Sequence, residues 1–388
     1  VRDRKFQEIE MAEQRTQLQV HSMITSDAKL KLYLARVPVV PPKSNEVLVQ
    51  IEATPINPSD LGLLLGPADM KTAVVKEVDG LPHLTADVPQ ATLAGLAARI
   101  DQPLPVGNEG SGMVIETGDA PEARALMGKR VALLGGEMYS QYRSVPAEQC
   151  LELPAGASAA DGASSFVNPM TALGMVETLR HEGHHALVHT AAASNLGQML
   201  HRVCQKDNIA LVNIVRSKEQ VALLKGLGAQ YVLDSQAPDF TEALTKALVE
   251  TGATLAFDAT GGGQLASQIL NCMEAALAKK ATSYSRYGTS THKQVYLYGS
   301  LDTRPTEIKR SFGMAWGIGG WLVFPYLQKI GREGAARIRA RVVAELTTTF
   351  ASNYAGELSL KALFEPANIA LYAMRSTGKK YLIVPNQD

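Results

Sequence analysis

Residues Ala186 to Gly197 read ALVHTAAASNLG. Ala186 to Thr190 is a short apolar run of the kind that makes a buried strand. The turn Ala191-Ala192-Ala193-Ser194-Asn195-Leu196-Gly197 follows, and then a helical stretch from Gly197 to Gln205. A strand, a turn of small residues and a helix together bring backbone N–H groups and a helix N-terminus to a pyrophosphate. The pattern here is A-x-x-S-x-x-G rather than G-x-G-x-x-G. Ala191 and Ser194 stand where small side chains are needed, and Gly197 permits close helix–strand packing. The same residues also fit an ordinary strand-to-helix turn with Ser194 or Asn195 as N-cap.

The residues that follow repeat the alternation. Strands are expected at Ile209–Val215, Tyr231–Leu233, Leu255–Phe257 and Val295–Leu297, with helices at Ser217–Leu227 and Gly263–Leu277. Strands alternating with helices predict βαβ units and a parallel sheet. The second strand runs into Asn213-Ile214-Val215-Arg216-Ser217-Lys218. An NAD-selective fold places an acid roughly 20 residues beyond its phosphate turn, on the ribose 2′-hydroxyl. Here there is none, and two cations follow. A guanidinium suits a 2′-phosphate because its fork makes two charge-assisted hydrogen bonds. NADP(H) is therefore expected over NAD(H), with Arg216 and Lys218 as its contacts; the other reading makes both a solvated helix start.

Towards the N-terminus the period changes. Glu46–Thr54 alternates apolar and polar residues as a half-buried strand does, and the turn-rich Pro55–Asp60 follows it. Pro105–Ile115 sets glycines against a strand, and Gly128–Gly135 is another strand. The first 150 residues read as a mostly β, partly open barrel. Met70–Leu104 reads as an inserted loop with a short helix at Gln90–Ile100, and Val1–Gln19 as a short helix or frayed arm. That arm lacks the apolar stretch of a secretory signal, and a start at Met11 or Met23 would explain its detached look.

The bulk numbers set outer limits. A chain of 388 residues suggests two or three domains. Lys plus Arg and Asp plus Glu are both 38, which argues against a sequence-wide basic field for nucleic acid or anionic lipid. Cys150, Cys204 and Cys272 form no C-x-x-C pair, so neither a zinc knuckle nor a disulfide framework is expected, and a reducing, cytoplasmic compartment is. No apolar run is long enough for a transmembrane helix. His181, His184 and His185 have no zinc-helix spacing and read as a solvent turn.

Several ordered segments resemble the medium-chain dehydrogenase/reductase superfamily, in its zinc-free quinone oxidoreductase and enoyl-thioester reductase branches. They are Asn57-Pro58-Ser59-Asp60, Pro105 with Glu109-Gly110-Ser111-Gly112, Gly128-Lys129-Arg130-Val131, Asn168-Pro169-Met170-Thr171-Ala172, the Ala191–Gly197 turn, Leu227-Gly228-Ala229, Phe257-Asp258-Ala259-Thr260-Gly261-Gly262 and Tyr298-Gly299-Ser300. The resemblance implies an α/β protein: a GroES-like partly open β-barrel catalytic domain and a Rossmann-type parallel-sheet domain. The expected boundaries are an arm at 1–20, the GroES-like domain at 21–168 and 311–388, and the NADP(H)-binding domain at 169–310. The C-terminal KYLIVP (Lys380–Pro385) would return to the first domain as a strand.

The resemblance also implies a site. Asn57 and Thr171 would position substrate and nicotinamide. Asn168, Thr171, Ala192, Ala193, Ser194, Asn195, Leu196, Gly197, Arg216, Lys218, Thr260, Tyr298 and Gly299 would bind the cofactor. Metal is not expected, because Asn57 and Asn108 stand where the zinc-dependent branch has Cys and His. The expected activity is metal-independent hydride transfer from NADPH to a quinone or an α,β-unsaturated carbonyl. Enoyl-thioester reduction and non-catalytic NADPH binding are the alternatives. The enoyl-thioester branch carries a tyrosine acid just after its first motif. Here Gly66 is followed by Pro67 and Ala68, which leaves Tyr139 or Tyr142 as the nearest substitutes. Trp316, Trp321, Phe324 and Tyr326 pack a core one by one, or together wall an apolar pocket. A homodimer is expected through the edge of the strand ending at Tyr298, with a small molecule as substrate and neither nucleic acid nor membrane as partner.

Overall fold

The computed structural model describes residues 15–373 and 380–387. Most of the N-terminal arm lies outside these residues. The part inside it, from Thr16, is strand rather than helix. The chain divides into two compact units, one of residues 1–167 with 352–388 and one of residues 168–351.

The first unit is built on β1 (Thr16–Ile24), β2 (Lys29–Pro38), β3 (Glu46–Pro55), β4 (Asp69–Val78), β5 (Leu81–Asp87), β6 (Leu104–Pro105), β7 (Glu109–Thr117), β8 (Arg130–Leu134), β9 (Tyr142–Pro146) and β10 (Cys150–Glu152). Five strands form one sheet in the order β4-β5-β2-β1-β6. The expected Met70–Leu104 loop is therefore mostly a hairpin. Its turn, Asp79-Gly80, has φ of 51° and 72°, the left-handed pair that joins strands tightly. A 3₁₀ helix follows at Gln90–Arg99, close to the expected short helix.

The other sheet of this unit centres on β3, which pairs with β7 along one side and with β9 along the other. The last turns of that second side are taken by β20 (Tyr381–Ile383), with Ile383 opposite Thr54. The KYLIVP segment thus does return to the first unit, as the strand β20 beside β3. β19 (Gly356–Leu358) lies parallel to β20 at the margin. Leu30, Leu32, Leu34, Leu64 and Leu84 are fully buried in the core beneath the first sheet.

The second unit opens on helix α1 (Val167–His181) and continues β11 (Ala186–His189), α2 (Asn195–Lys206), β12 (Ala210–Val215), α3 (Lys218–Gly226), β13 (Tyr231–Asp234), α4 (Phe240–Thr251), β14 (Leu255–Asp258), β15 (Gly261–Gly263), α5 (Leu265–Lys280), β16 (Lys293–Leu297), β17 (Asp302–Thr306), β18 (Trp316–Gly320) and α6 (Val323–Ala344), numbering helices of nine residues or more. Its sheet runs β13-β12-β11-β14-β16-β18, and all its pairings are parallel. Strands with both faces covered read as continuous apolar runs, and β11 and β14 are buried along their whole length.

Two features differ from expectation. The unit extends to residue 351 rather than 310: it includes a sixth strand, β18, and helix α6, whose Arg337 and Arg341 pair with Glu177 and Asp207. The edge of the sheet is consequently β18, and the strand leading to Tyr298 is an interior one.

Candidate functional site

In an open parallel sheet, ligands bind beyond the carboxyl ends of the strands, where the strand order reverses. Here the order reverses between β11 and β14. Beyond β11, Ala191 takes a left-handed φ of 50° and starts the turn. Ser194 caps α2, its Oγ accepting from Gly197 N at 3.1 Å. A Cβ on Gly197 would stand 2.2 Å from the Ala192 carbonyl oxygen, so only glycine permits this helix to lie so close to its strand. The N-cap reading holds: Ser194 fixes the start of α2.

Beyond β12, Arg216 and Lys218 are exposed, and Ser217 caps α3 by accepting from Gln220 N. No ion pair engages the Arg216 guanidinium among the described residues. An unpaired cation where an acid would otherwise read the ribose fits a 2′-phosphate.

Beyond β14, the buried Asp258 organises the turn. Its Oδ1 accepts from Thr190 Oγ1 at 2.6 Å and from Thr260 N at 2.8 Å, and its Oδ2 from Gly261 N at 3.2 Å. Thr190 Oγ1 in turn accepts from Ala259 N. Beyond β16, Gly299 packs so tightly that a Cβ would meet Ala259 O at 2.7 Å. Tyr298 stacks on His189 with its hydroxyl 2.7 Å from His189 Nε2. Burial pulls the His189 imidazole down to about 3, so it is neutral at physiological pH. Asn168 and Thr171 are buried in the first turn of α1. This unit therefore brings the Ala192–Gly197 turn together with Arg216, Lys218, Thr260, Tyr298 and Gly299 at one end of one sheet.

Asn57 belongs to the first unit. It is buried, its backbone N donates to Asp60 Oδ2 at 2.8 Å, and its Nδ2 donates to Glu109 Oε1 at 2.8 Å. Its Oδ1 is buried with no hydrogen-bond partner among the described residues. Glu109 Oε2 accepts from the N–H groups of Phe166 and Val167, each at 2.9 Å. Asp60 Oδ1 accepts from Asn108 N. Burial raises the Asp60 carboxyl to about 7, the N–H groups of Asn57 and Asn108 opposing and Glu109 adding to the rise. Lys380, Ser164 and Tyr354, none singled out by the sequence, adjoin this cluster: Lys380 Nζ donates to Ser164 Oγ at 2.6 Å.

Several expectations change. Tyr139 is fully buried, its hydroxyl donating to Pro55 O at 3.2 Å, and burial pushes its pKa well up, so it is a core residue rather than an acid. Tyr142 lies under the Arg15 guanidinium at 4.0 Å. The four aromatics are packed differently: Trp321 is buried and donates to Thr178 Oγ1, Tyr326 is buried beside it, Trp316 packs edge-on to Phe312, and Phe324 is exposed. Of the histidines, His181 and His185 are exposed, whereas His184 turns inward with Nδ1 2.7 Å from Thr254 Oγ1.

Residues 43–155 match the alcohol dehydrogenase GroES-like domain. The chain is 27% identical over 213 residues to the mitochondrial enoyl-[acyl-carrier-protein] reductase of Xenopus tropicalis, covering 53% of this chain and 52% of that protein. It thus spans about half the length of that curated relative. Its fold matches a Mesorhizobium loti protein assigned as an NADPH:quinone reductase, with a TM-score of 0.71, 24% identity and coverage of 96% and 99% of the two chains. It also matches the quinone oxidoreductase of Escherichia coli, solved with NADPH, with a TM-score of 0.67, 18% identity and coverage of 96% and 100%.

Proposed function

We propose that this chain, a medium-chain dehydrogenase/reductase by its GroES-like domain and its fold, is an NADPH-dependent reductase of quinones or α,β-unsaturated carbonyls. The observation that carries the reading is the β11–α2 turn, with Gly197 against Ala192 and the unpaired Arg216 beyond the next strand. The residues present fit the cofactor: the Ala192–Gly197 turn for the pyrophosphate, Arg216 and Lys218 for the 2′-phosphate, and Asn168, Thr171, Thr260, Tyr298 and Gly299 for the nicotinamide end. When bound, the cofactor supplies hydride; the protein orients the acceptor, excludes water and stabilises the oxyanion that forms.

The donor set of the first unit supports metal-independent chemistry. Asn57 and Asn108 donate their amide N–H groups to Glu109 and to Ser59, and neutral amides are poor zinc ligands beside thiolate or imidazole. We place the protein in the cytoplasm, on its free cysteines, as a homodimer whose exposed sheet edge is β18. Among the described residues no helix is long and apolar enough to cross a membrane.

The test is NADPH oxidation with a panel of quinones and enones. Turnover on one class is the expected outcome; tight NADPH binding without turnover on any member favours a sensor instead. Enoyl-thioester reduction is the second reading, favoured by the Xenopus relative. It predicts turnover of 2-enoyl-CoA or acyl-carrier thioesters and needs an acid other than the sealed Tyr139.

A further inference from the structure

Between α1 and α6 the second unit holds a cavity of about 440 Å³ that the proposed function does not use. Small-molecule sites run to roughly 300–1,000 Å³. Glu177, Arg180 and His181 reach the cavity from the last turns of α1, and Tyr326, Lys329, Ile330 and Arg337 reach it from α6. Residues three and four apart share one face of a helix. That spacing groups the three on α1, and it groups Tyr326 with Lys329 and Ile330 on α6. At Gly331, with φ of 71°, α6 leaves helical geometry, and Arg337 comes from the piece beyond the break.

The lining carries three permanent cations and one carboxylate, an excess of two positive charges. Glu177 holds both guanidinium groups: its Oε1 accepts from Arg180 Nη1 and its Oε2 from Arg337 Nη2, each at 2.9 Å. Arg180 Nη2 also donates to Asp207 Oδ2 at 2.8 Å, but Asp207 is answered in turn by Arg341, from Nη1 at 2.8 Å and Nη2 at 2.7 Å. One carboxylate thus orients two forks without neutralising them. The Arg180 and Arg337 side chains are 47% and 65% exposed, where ion pairs contribute little to stability. A guanidinium has five N–H donors, so each keeps donors for a ligand. Lys329 makes no ion pair among the described residues. Tyr326 is buried, its ring 6.0 Å from that of Trp321. Burial, with Glu177 nearby, pushes its phenol up to about 12, so it stays a neutral donor. Tyr326 and Ile330 give the cavity an apolar part beside its cations.

We propose that the α1–α6 cavity binds a small organic phosphate monoester, its dianion held by Arg180, Lys329 and Arg337 and its organic group packed on Tyr326 and Ile330. A phosphate monoester is mostly dianionic at neutral pH, which matches the excess of two positive charges. Its oxygens accept forked guanidinium donors in charge-assisted hydrogen bonds. A monocarboxylate would leave one positive charge unanswered. The site is separate from the residues assigned to the dinucleotide. On α1, Thr171 and His181 stand ten residues apart, about 15 Å along the helix axis. The inference therefore stands whether or not the chain is a reductase.

The probe is phenyl phosphate, titrated calorimetrically into the full chain, with inorganic phosphate and benzoate as comparisons. Phenyl phosphate is expected to bind the parent at least about tenfold more tightly than either comparison. Lys329→Ala and Arg337→Ala, each shown to be folded by thermal melting, should weaken it about tenfold or more, as the loss of a charge-assisted hydrogen bond does. Lys225→Ala removes a lysine on α3 and Arg216→Ala removes the cation assigned to the 2′-phosphate; both should leave the affinity unchanged. NMR of the arginine Nε–H groups gives a readout at the site itself: the signals that shift on addition of phenyl phosphate should include those of Arg180 and Arg337. No saturable binding by the parent, or undiminished affinity in both Lys329→Ala and Arg337→Ala, overturns the site. Loss of affinity in Arg216→Ala assigns the phosphate to the dinucleotide site and overturns it too. Benzoate binding as tightly as phenyl phosphate overturns the dianion, and inorganic phosphate binding as tightly overturns the organic group.

Discussion

Gly197 sits so close to Ala192 that a Cβ added to it would lie 2.2 Å from the Ala192 carbonyl oxygen and 2.6 Å from its carbonyl carbon. Both obstructing atoms are backbone, so no side chain can swing aside. Gly197→Ala must therefore push α2 away from β11, at the point where Ser194 caps the helix. We expect a loss of about 2–3 kcal/mol, within the range for overpacking a dense interior, and NADPH binding weakened at least tenfold. Urea unfolding and a fluorescence titration measure the two. A variant with unchanged stability and affinity would show that the helix start does not need this contact.

The 2′-phosphate role proposed for Arg216 predicts the cofactor preference. A charge-assisted pair with a 2′-phosphate contributes about 1.5–3 kcal/mol, or roughly ten- to a hundredfold in affinity. Arg216→Ala is expected to weaken NADPH by that factor and to leave NADH almost unaffected. Equal losses for both cofactors would remove Arg216 from the phosphate site.

Asp258 and Thr190 set the turn beyond β14. Asp258 is a buried carboxylate satisfied by three donors, one of them the Thr190 hydroxyl. Thr190→Val keeps the shape but removes that donor and also the acceptor for Ala259 N. Leaving buried polar groups unpaired costs roughly 1–3 kcal/mol each. The expected result is a stability loss of about 2–4 kcal/mol with a raised KM for NADPH, read by denaturant titration and steady-state kinetics.

What the sequence reveals and what it hides follow from how local each cause is. The β11–α2 turn is legible because Ala191 to Gly197 are contiguous and follow directly on an apolar run. Arg216 is legible because it sits one residue past an apolar strand. The Asp79-Gly80 turn carried a hairpin signal too, and the run KTAVVKEV before it is rich in β-branched residues; reading Met70–Leu104 as one inserted loop hid both. Tyr139 could not be placed from sequence, since its burial comes from strands that meet only in the folded sheet. The hydrogen-bonded chain Lys380–Ser164–Tyr354 is less legible still, because three residues far apart in sequence are joined only by β20 pairing with β3 and by the bond from Ala355 N to Lys380 O. Lys380 directly before an apolar strand was the single local hint.

Asp60 provides the pH test. Its carboxyl has an ordinary value of 3.8 when exposed and is raised to about 7 in the fold. Between those values the folded protein holds a proton that the unfolded chain has released. The contribution of this group to stability is thus fully present below pH about 4 and is lost as pH rises through about 7. A shift of this size corresponds to about 4 kcal/mol at most. His189 works the other way: its folded value of about 3 lies below its ordinary 6.5, so its contribution is present above pH 6.5 and lost on acidification. A single stability curve mixes the two, and the variant separates them. Asp60→Asn cannot ionise, and an amide accepts with only one of its two terminal atoms, so it loses one of the bonds from Asn57 N and Asn108 N at every pH. Relative to the parent it should therefore be less stable near pH 4.5, with the deficit shrinking or reversing by pH 8. Urea midpoints measured at both pH values check this, and a deficit that grows with pH would mean that Asp60 is ionised throughout.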